Sequence, residues 1–127
     1  MRWHDYDYAL LRVVPRVHTE QFVNVGVLLH ARTARFLGLR LHAGLPLDLP
    51  HTLSPDLLHI HLAAYTQIAD GSEDAGPIGL LPPSERFHWL TAPRSAVIQT
   101  SALRAGRTTN PAATLDRLFA HCIASLP

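Results

Sequence analysis

Strand-like and helix-like patterns are segregated along this chain, in the order strand, strand, strand, helix, helix, strand, helix. The three strand-forming runs that come first span residues 6–14, 22–31 and 35–42. Such segregation is typical of an antiparallel sheet with helices packed on it. We therefore predict a single α+β domain over residues 1–127. Its sheet should have about four strands, with about three helices packed mainly on one face.

Local signals place the first strands. The run at 6–14 is rich in strand formers and stops at Pro15, which has no N–H to donate to a ladder. Both faces of this run are largely apolar, which predicts an inner strand. The short link at 31–34 predicts that the second and third strands form a hairpin.

The helices carry start and stop signals. Ser54 can cap the first helix, Pro55 suits its first position and Gly71 stops it. Residues 71–79 are predicted to form an acidic surface loop. The stripe at helical spacing that predicts the buried face of this helix consists of Leu57, Ile60, Ala64 and Ile68.

The remaining elements follow in the same way. A short helix over residues 82–92 must end at Pro93, and a fourth strand is predicted at 95–103, followed by a loop at 104–110. Asn110 caps the last helix. The core stripe of that helix is predicted to contain Leu115, Leu118, Phe119, Cys122 and Leu126.

Composition excludes several classes of protein. The formal net charge is +1, so binding to nucleic acid is not favoured. All eleven basic residues are arginine, which excludes a lysine nucleophile, a Schiff base and a phosphate-loop lysine. Cys122 is the only cysteine, so no internal disulfide can form. With no apolar stretch long enough to cross a bilayer, we expect a soluble cytoplasmic protein without a membrane partner.

Motifs for metal, cofactor or covalent chemistry are missing from the sequence. His59 and His61 are two residues apart on a predicted helix, where they cannot chelate one ion together. The sequence holds no serine elbow, dinucleotide fingerprint or phosphate loop. The carboxylate pairs Asp5–Asp7 and Glu73–Asp74 are explained best as solvated charges at strand and loop ends. We expect no metal site and no cofactor.

The first group of candidate site residues lies at 12–26. Arg12 falls inside an apolar strand, and burial of a guanidinium without a partner costs several kcal/mol. Glu20 is the nearest carboxylate that could pair with it. Asn24 interrupts a run of valines, and Gly26 leaves room for the close approach of another backbone or a ligand. These residues form either a buried network between two strands or a binding site.

The second group lies in the segment 86–101, where the chain passes from helix to strand. It comprises Arg86, Trp89, Arg94, Gln99 and Thr100. Guanidinium groups bind carboxylates, phosphates or helix-terminal carbonyls, and an indole ring is a common binding platform. The segment is therefore either a structural junction or a recognition surface.

Two long segments of the chain resemble a known family. The stretch "YDYALLRVVPRVHTEQFVNVGVLLHA" and the later "RFHWLTAPRSAVIQTS" with "NPAATLDRLF" are similar to the bacterial domain-of-unknown-function 3037 family. That family has no established activity. Its genes often lie beside a gene for a HipA-like serine/threonine kinase, the toxin type of some toxin-antitoxin pairs, so the resemblance implies a partner or regulator of such a kinase.

Two function hypotheses follow. The leading one is a non-enzymatic protein that binds another bacterial protein, such as a HipA-like kinase, through a surface that includes 86–101. The alternative is a phosphate- or nucleotide-binding enzyme in which Arg12, Arg86 and Arg94 converge on a phosphate, with Glu20 or His88 as the acid–base group. Convergence of these side chains into one pocket would distinguish the two. A homo-oligomer is compatible with either.

Overall fold

The computed structural model describes residues 2–15, 22–43, 54–93 and 96–123. These residues form an antiparallel sheet and helices, which confirms the predicted α+β class. The strands are β1 (His4–Val13), β2 (Val23–Ala31), β3 (Phe36–Leu41), β4 (Ile98–Thr100) and β5 (Arg104–Thr108). The α-helices are α1 (Pro55–Asp70), α2 (Pro83–Thr91) and α3 (Pro111–Cys122), and short 3₁₀ segments cover Arg32–Ala34 and Glu73–Leu80.

Strand β1 is the inner strand of the sheet, as predicted. It pairs along one side with β2, and β2 pairs in turn with β3 in the expected hairpin. On its other side, the first half of β1 pairs with β5 and the second half with β4. Residues from distant parts of the sequence therefore meet across β1.

Strand β5 lies in the segment that was predicted to be a loop. Its residues Arg104–Thr108 contain no large apolar side chain, so the sequence pattern does not reveal a strand. Backbone pairing with β1 stabilises it instead. Gly106 makes this pairing possible, because a Cβ there would lie 2.4 Å from the Tyr6 Oη atom. Strand formation here depends on its neighbour rather than on propensity.

Helices cover both faces of the sheet. Leu28 of β2 packs in a cluster with Phe87 and Leu90 of α2 and with the end of α1. The next residue, Leu29, packs with Leu115 and Phe119 of α3. Since adjacent residues of a strand point to opposite faces, α1 and α2 lie on one face and α3 lies on the other. We call these the α1–α2 face and the α3 face.

The capping signals are confirmed, whereas the predicted buried stripe of α1 needs correction and one residue of the predicted α3 stripe remains open. The Ser54 Oγ atom accepts from the N–H of Leu57, and Gly71 ends α1 in the left-handed region at φ +69°. Of the predicted stripe, Ile68 is buried, whereas Leu57, Ile60 and Ala64 are exposed. The other buried residues of α1 are Leu58, Leu62 and Ala69. The predicted stripe was wrong at the three exposed positions because two neighbouring stripes are both apolar, and the sheet selects one of them. In α3, Leu115 and Phe119 are buried with Leu118 and Cys122 packed beside them, while Leu126 lies outside the described residues.

Residues Glu73–Leu80, within and beyond the predicted acidic loop, form a 3₁₀ stretch with a break at Gly76. No helix in the described ranges has the length and apolar character needed to cross a membrane.

Candidate functional site

Three candidate residues lie side by side across three strands. Arg12 of β1 is the cross-strand neighbour of Asn24 on β2 and of Gln99 on β4. Residues directly opposite one another in an antiparallel sheet project from the same face. We call Arg12, Asn24 and Gln99 the polar row. The row lies on the α3 face, next to Leu10. It brings together the two groups of candidate residues, although Asn24 and Gln99 are 75 residues apart in the sequence.

A β-bulge aligns the row. Leu11 pairs with Gly26, but the next residue, Arg12, pairs with Asn24, so Val25 is the extra residue of the bulge. In a regular ladder Val25 would lie opposite Arg12. The bulge brings the amide of Asn24 to that place, which is a common use of bulges near functional sites.

Gly26 has a packing role beside the bulge. A Cβ atom there would lie 2.7 Å from a methyl carbon of Leu41 and 2.8 Å from the carbonyl oxygen of Arg40. The close approach anticipated from the sequence is thus made by the neighbouring strand β3.

Two polar atoms of the row are buried without a hydrogen-bond partner among the described residues, namely Arg12 Nε and Asn24 Oδ1. No ion pair of Arg12 is formed within the described ranges, and its predicted partner Glu20 lies outside them. Burial lowers the pKa of Arg12, since desolvation disfavours the cation. The guanidinium carbon lies 3.9 Å from the ring centroid of Phe22, which is 46% exposed.

The two unpaired atoms determine which ligand group fits. Arg12 Nε carries a donor hydrogen, while Asn24 Oδ1 is an acceptor. A peptide group supplies both complements, a carbonyl oxygen and an N–H. The donor at Arg12 and the acceptor at Asn24 are thus complementary to an amide or backbone segment.

Gln99 and Ser101 hold the edge of the row in place. The side-chain amide of Gln99 donates to the carbonyl of Ala96 at 2.8 Å. The Ser101 Oγ atom accepts from the backbone N–H of Leu10 at 2.8 Å and lies 3.1 Å from the carbonyl of Ala102.

The sequence analysis named neither Phe22 nor Ser101 as a site residue. Phe22 could have been found as an aromatic residue at the start of a strand that a polar residue, Asn24, interrupts. Ser101 could have been found only as a member of the polar segment 86–101.

Arg86 belongs to a junction on the opposite face. It is 9% exposed, and its Nε donates to the carbonyl of Leu81 at 2.9 Å. Its Nη1 donates to the carbonyls of Ile68 and Ala69 at 2.9 and 3.0 Å. These carbonyls lie at the C-terminus of α1, where backbone acceptors lack intrahelical partners. Of the two roles left open for Arg86, the contacts are those of a structural junction, and its guanidinium does not converge with that of Arg12.

The other candidates lie near the α2 end of this junction or outside the described residues. The Thr100 hydroxyl donates to the carbonyl of Thr91 at 3.5 Å and so links β4 to the last turn of α2. Trp89 projects from α2 and is 37% exposed. Arg94 lies outside the described residues, as Glu20 does. A binding role for these four residues stays a prediction.

Histidine, cysteine and carboxylate side chains do not gather into a metal site within the described part of the chain, where no group of three such residues could hold an ion. Both ion pairs of the described residues, Arg40 with Asp116 and Arg107 with Asp5, are solvent-exposed. Such pairs contribute little to stability.

Comparison with curated proteins and with solved structures gives no significant match. One family model does match, and it covers residues 8–123. The matched range includes every strand of the sheet apart from the start of β1, together with the whole polar row. The chain therefore belongs to the family described as protein of unknown function, DUF3037.

Proposed function

We propose that this protein is a non-enzymatic, cytoplasmic partner of another bacterial protein, and that it holds a backbone segment of that partner at the polar row. The observation that carries the proposal is the pair of unpaired buried atoms, Arg12 Nε and Asn24 Oδ1, on directly opposed residues. The resemblance described above supplies the candidate partner, a HipA-like serine/threonine kinase of a toxin-antitoxin-type module.

The energetics favour a bound partner. A buried polar group without a hydrogen bond costs about 1–3 kcal/mol, so the free protein carries this cost at one atom on each of two opposed residues. Because both atoms are shielded from solvent in the free protein, the two side chains must turn outward to reach a partner. A peptide group that then accepts from Arg12 and donates to Asn24 would remove both penalties at once. Binding would thus offset the free-energy cost of the two unsatisfied atoms, which no described residue of the free protein offsets.

Phe22 adds a surface for the same partner. Its ring is stacked under the Arg12 guanidinium and remains about half exposed. Aromatic and arginine side chains are enriched among the residues that dominate binding energy at protein interfaces. A side chain next to the bound peptide group could pack on this ring.

The alternative hypothesis, an arginine-rich phosphate pocket, receives less support. It requires Arg12 and Arg86 to face one ligand, whereas Arg86 is bonded to three carbonyls on the α1–α2 face.

The test is a titration of the purified protein with a purified HipA-like serine/threonine kinase, followed by calorimetry. We expect micromolar or tighter binding, and Asn24→Leu or Arg12→Met should weaken it by about tenfold or more. Arg104→Met is the matched control, because Arg104 is exposed on β5 and lies outside the row. Absence of binding at about 10 μM, or equal binding by the row variants and the control, would contradict the proposal.

A further inference from the structure

A second polar site lies at the other end of β1, on the α1–α2 face. It is a cavity of about 430 Å³ between β1, β2 and β5. The charged and titratable residues that line it are Asp5, Asp7, His30, Arg32 and Arg107. A volume of this size lies within the range of small-molecule sites, which is about 300–1,000 Å³.

One pair of charges in the cavity is already matched. Asp5 Oδ1 lies 3.4 Å from Arg107 Nε, and the Arg107 guanidinium lies 5.7 Å from the ring centroid of Trp3. The remaining pair is not matched. Asp7 and Arg32 form no ion pair with any residue in the described ranges, although both line the same cavity.

His30 neighbours both of these residues. It is the cross-strand neighbour of Asp7, and Arg32 follows it by two residues. The imidazole is 8% exposed and stacks on Phe87 at a centroid distance of 5.1 Å, while its Nε2 lies 3.4 Å from the Ser84 hydroxyl. Burial lowers the pKa of His30, Asp7 raises it and Arg32 lowers it, so both charges act on the ring. A histidine with a lowered pKa is mainly neutral at pH 7, which leaves one negative and one positive group for a ligand.

We propose that this cavity binds a small zwitterion of the α-amino acid class, with the ammonium group at Asp7 and the carboxylate at Arg32. A guanidinium offers two parallel donors to a carboxylate, and a carboxylate accepts from an ammonium group through charge-assisted hydrogen bonds. Because a zwitterion presents both charges together, it satisfies both residues without adding net charge to the cavity. The site is independent of the polar row, which lies on the opposite face.

The test uses the twenty protein amino acids as probes, each titrated into the full-length protein at concentrations up to about 10 mM and followed by NMR shifts or calorimetry. We expect at least one of them to bind. Its N-acetyl derivative and its carboxamide each lack one of the two charges and should bind about tenfold more weakly or worse.

Two variants and two matched controls locate the site. Asp7→Asn and Arg32→Gln should each weaken binding of the same amino acid by about tenfold. The controls are Asp74→Asn and Arg35→Gln, which make the same chemical changes at exposed residues outside the cavity and should leave the affinity unchanged. Since Asp7 and Arg32 are also exposed, unfolding midpoints should show that all four variants are folded.

The proposal is overturned if none of the twenty amino acids binds, or if a blocked derivative binds as tightly as its free parent. It is equally overturned if Asp7→Asn and Arg32→Gln have no more effect than the controls, because binding would then occur elsewhere on the protein.

Discussion

Arg12 on β1 lies directly opposite Asn24 on β2, and each residue keeps one buried polar atom that no described residue satisfies. Such atoms lower stability, yet the fold retains two of them next to an exposed aromatic ring. Proteins commonly accept a loss of stability at sites where another molecule binds. The relationship therefore predicts opposite effects of substitution on stability and on binding.

Asn24→Leu should raise the free energy of unfolding by about 1 kcal/mol, because it removes a buried acceptor that has no donor while keeping a side chain of similar size. The measurement is urea denaturation followed by circular dichroism. Asn110→Leu provides the control with the same chemical change. Asn110 Oδ1 accepts from the N–H of Ala113 and caps α3, so this variant should lower stability by about 1 kcal/mol. A loss of stability in both variants would show that Asn24 is satisfied in the folded protein.

Arg86→Met should lower the free energy of unfolding by about 3 kcal/mol. The change removes the side-chain donor of the Ala69 and Leu81 carbonyls, and it removes one of two donors of the Ile68 carbonyl, which still accepts from the N–H of Gly71. Arg104→Met, at an exposed position, should leave the urea midpoint almost unchanged. Equal midpoints for the two variants would refute the junction role of Arg86.

Gly71→Ala should be destabilising for two reasons. Gly71 has φ +69°, which costs a residue with a Cβ about 1 kcal/mol, and that Cβ would lie 2.6 Å from Nη1 of Arg86. Arg86 cannot move away without losing its carbonyl contacts. We therefore expect a cost of about 2–3 kcal/mol in the wild-type background but only about 1 kcal/mol in the Arg86→Met background.

This double-mutant cycle is measured by urea unfolding of the four proteins. Strict additivity of the two changes would mean that Gly71 and Arg86 do not interact.

His30 should make stability depend on pH. Burial lowers its pKa below 6.5 in the folded protein, so the unfolded chain takes up a proton more readily. The neutral ring therefore makes its full contribution to the free energy of unfolding above pH 6.5. This contribution is lost as the pH falls from 6.5 towards the pKa of His30 in the folded protein. Asp7, which raises the pKa, limits this loss, and Arg32 increases it.

The measurement compares urea midpoints at about pH 7.5 and pH 5.5, on either side of the ordinary histidine pKa. His30→Gln should lose less stability between the two values than the wild type. His59→Gln changes an exposed histidine on α1 and should retain the wild-type difference. The assignment to His30 fails if both variants respond to pH in the same way as the wild type.

Much of the fold could be predicted because its signals are local. Pro15 follows the end of β1 closely, Ser54 and Asn110 cap α1 and α3, and Gly71 ends α1. Each of these residues acts through the backbone groups next to it, so its effect does not depend on distant parts of the chain. The class of the fold followed from the order of these elements.

The candidate site could be predicted only in part. Arg12, Asn24 and Gln99 were recognisable as polar residues in apolar strands, but their alignment depends on the bulge at Val25. Arg86 was recognisable as a candidate partner of helix-terminal carbonyls, but two of its three carbonyl partners belong to α1 rather than to its own helix. In both cases the sequence does not show which residues of two distant segments lie next to each other.

Sequence alone determined the positions of the first three strands and the starts of the three α-helices, since caps, prolines and glycines act over a few residues. Only the tertiary structure decided that β5 is a strand, that α1 turns Leu58 rather than Leu57 inward, and that two polar atoms remain unpaired at the row. The physical reason is that pairing, burial and hydrogen-bond satisfaction are properties of groups that meet in space. A residue's pairing, burial and hydrogen bonds are therefore settled only when residues from distant parts of the chain have packed around it.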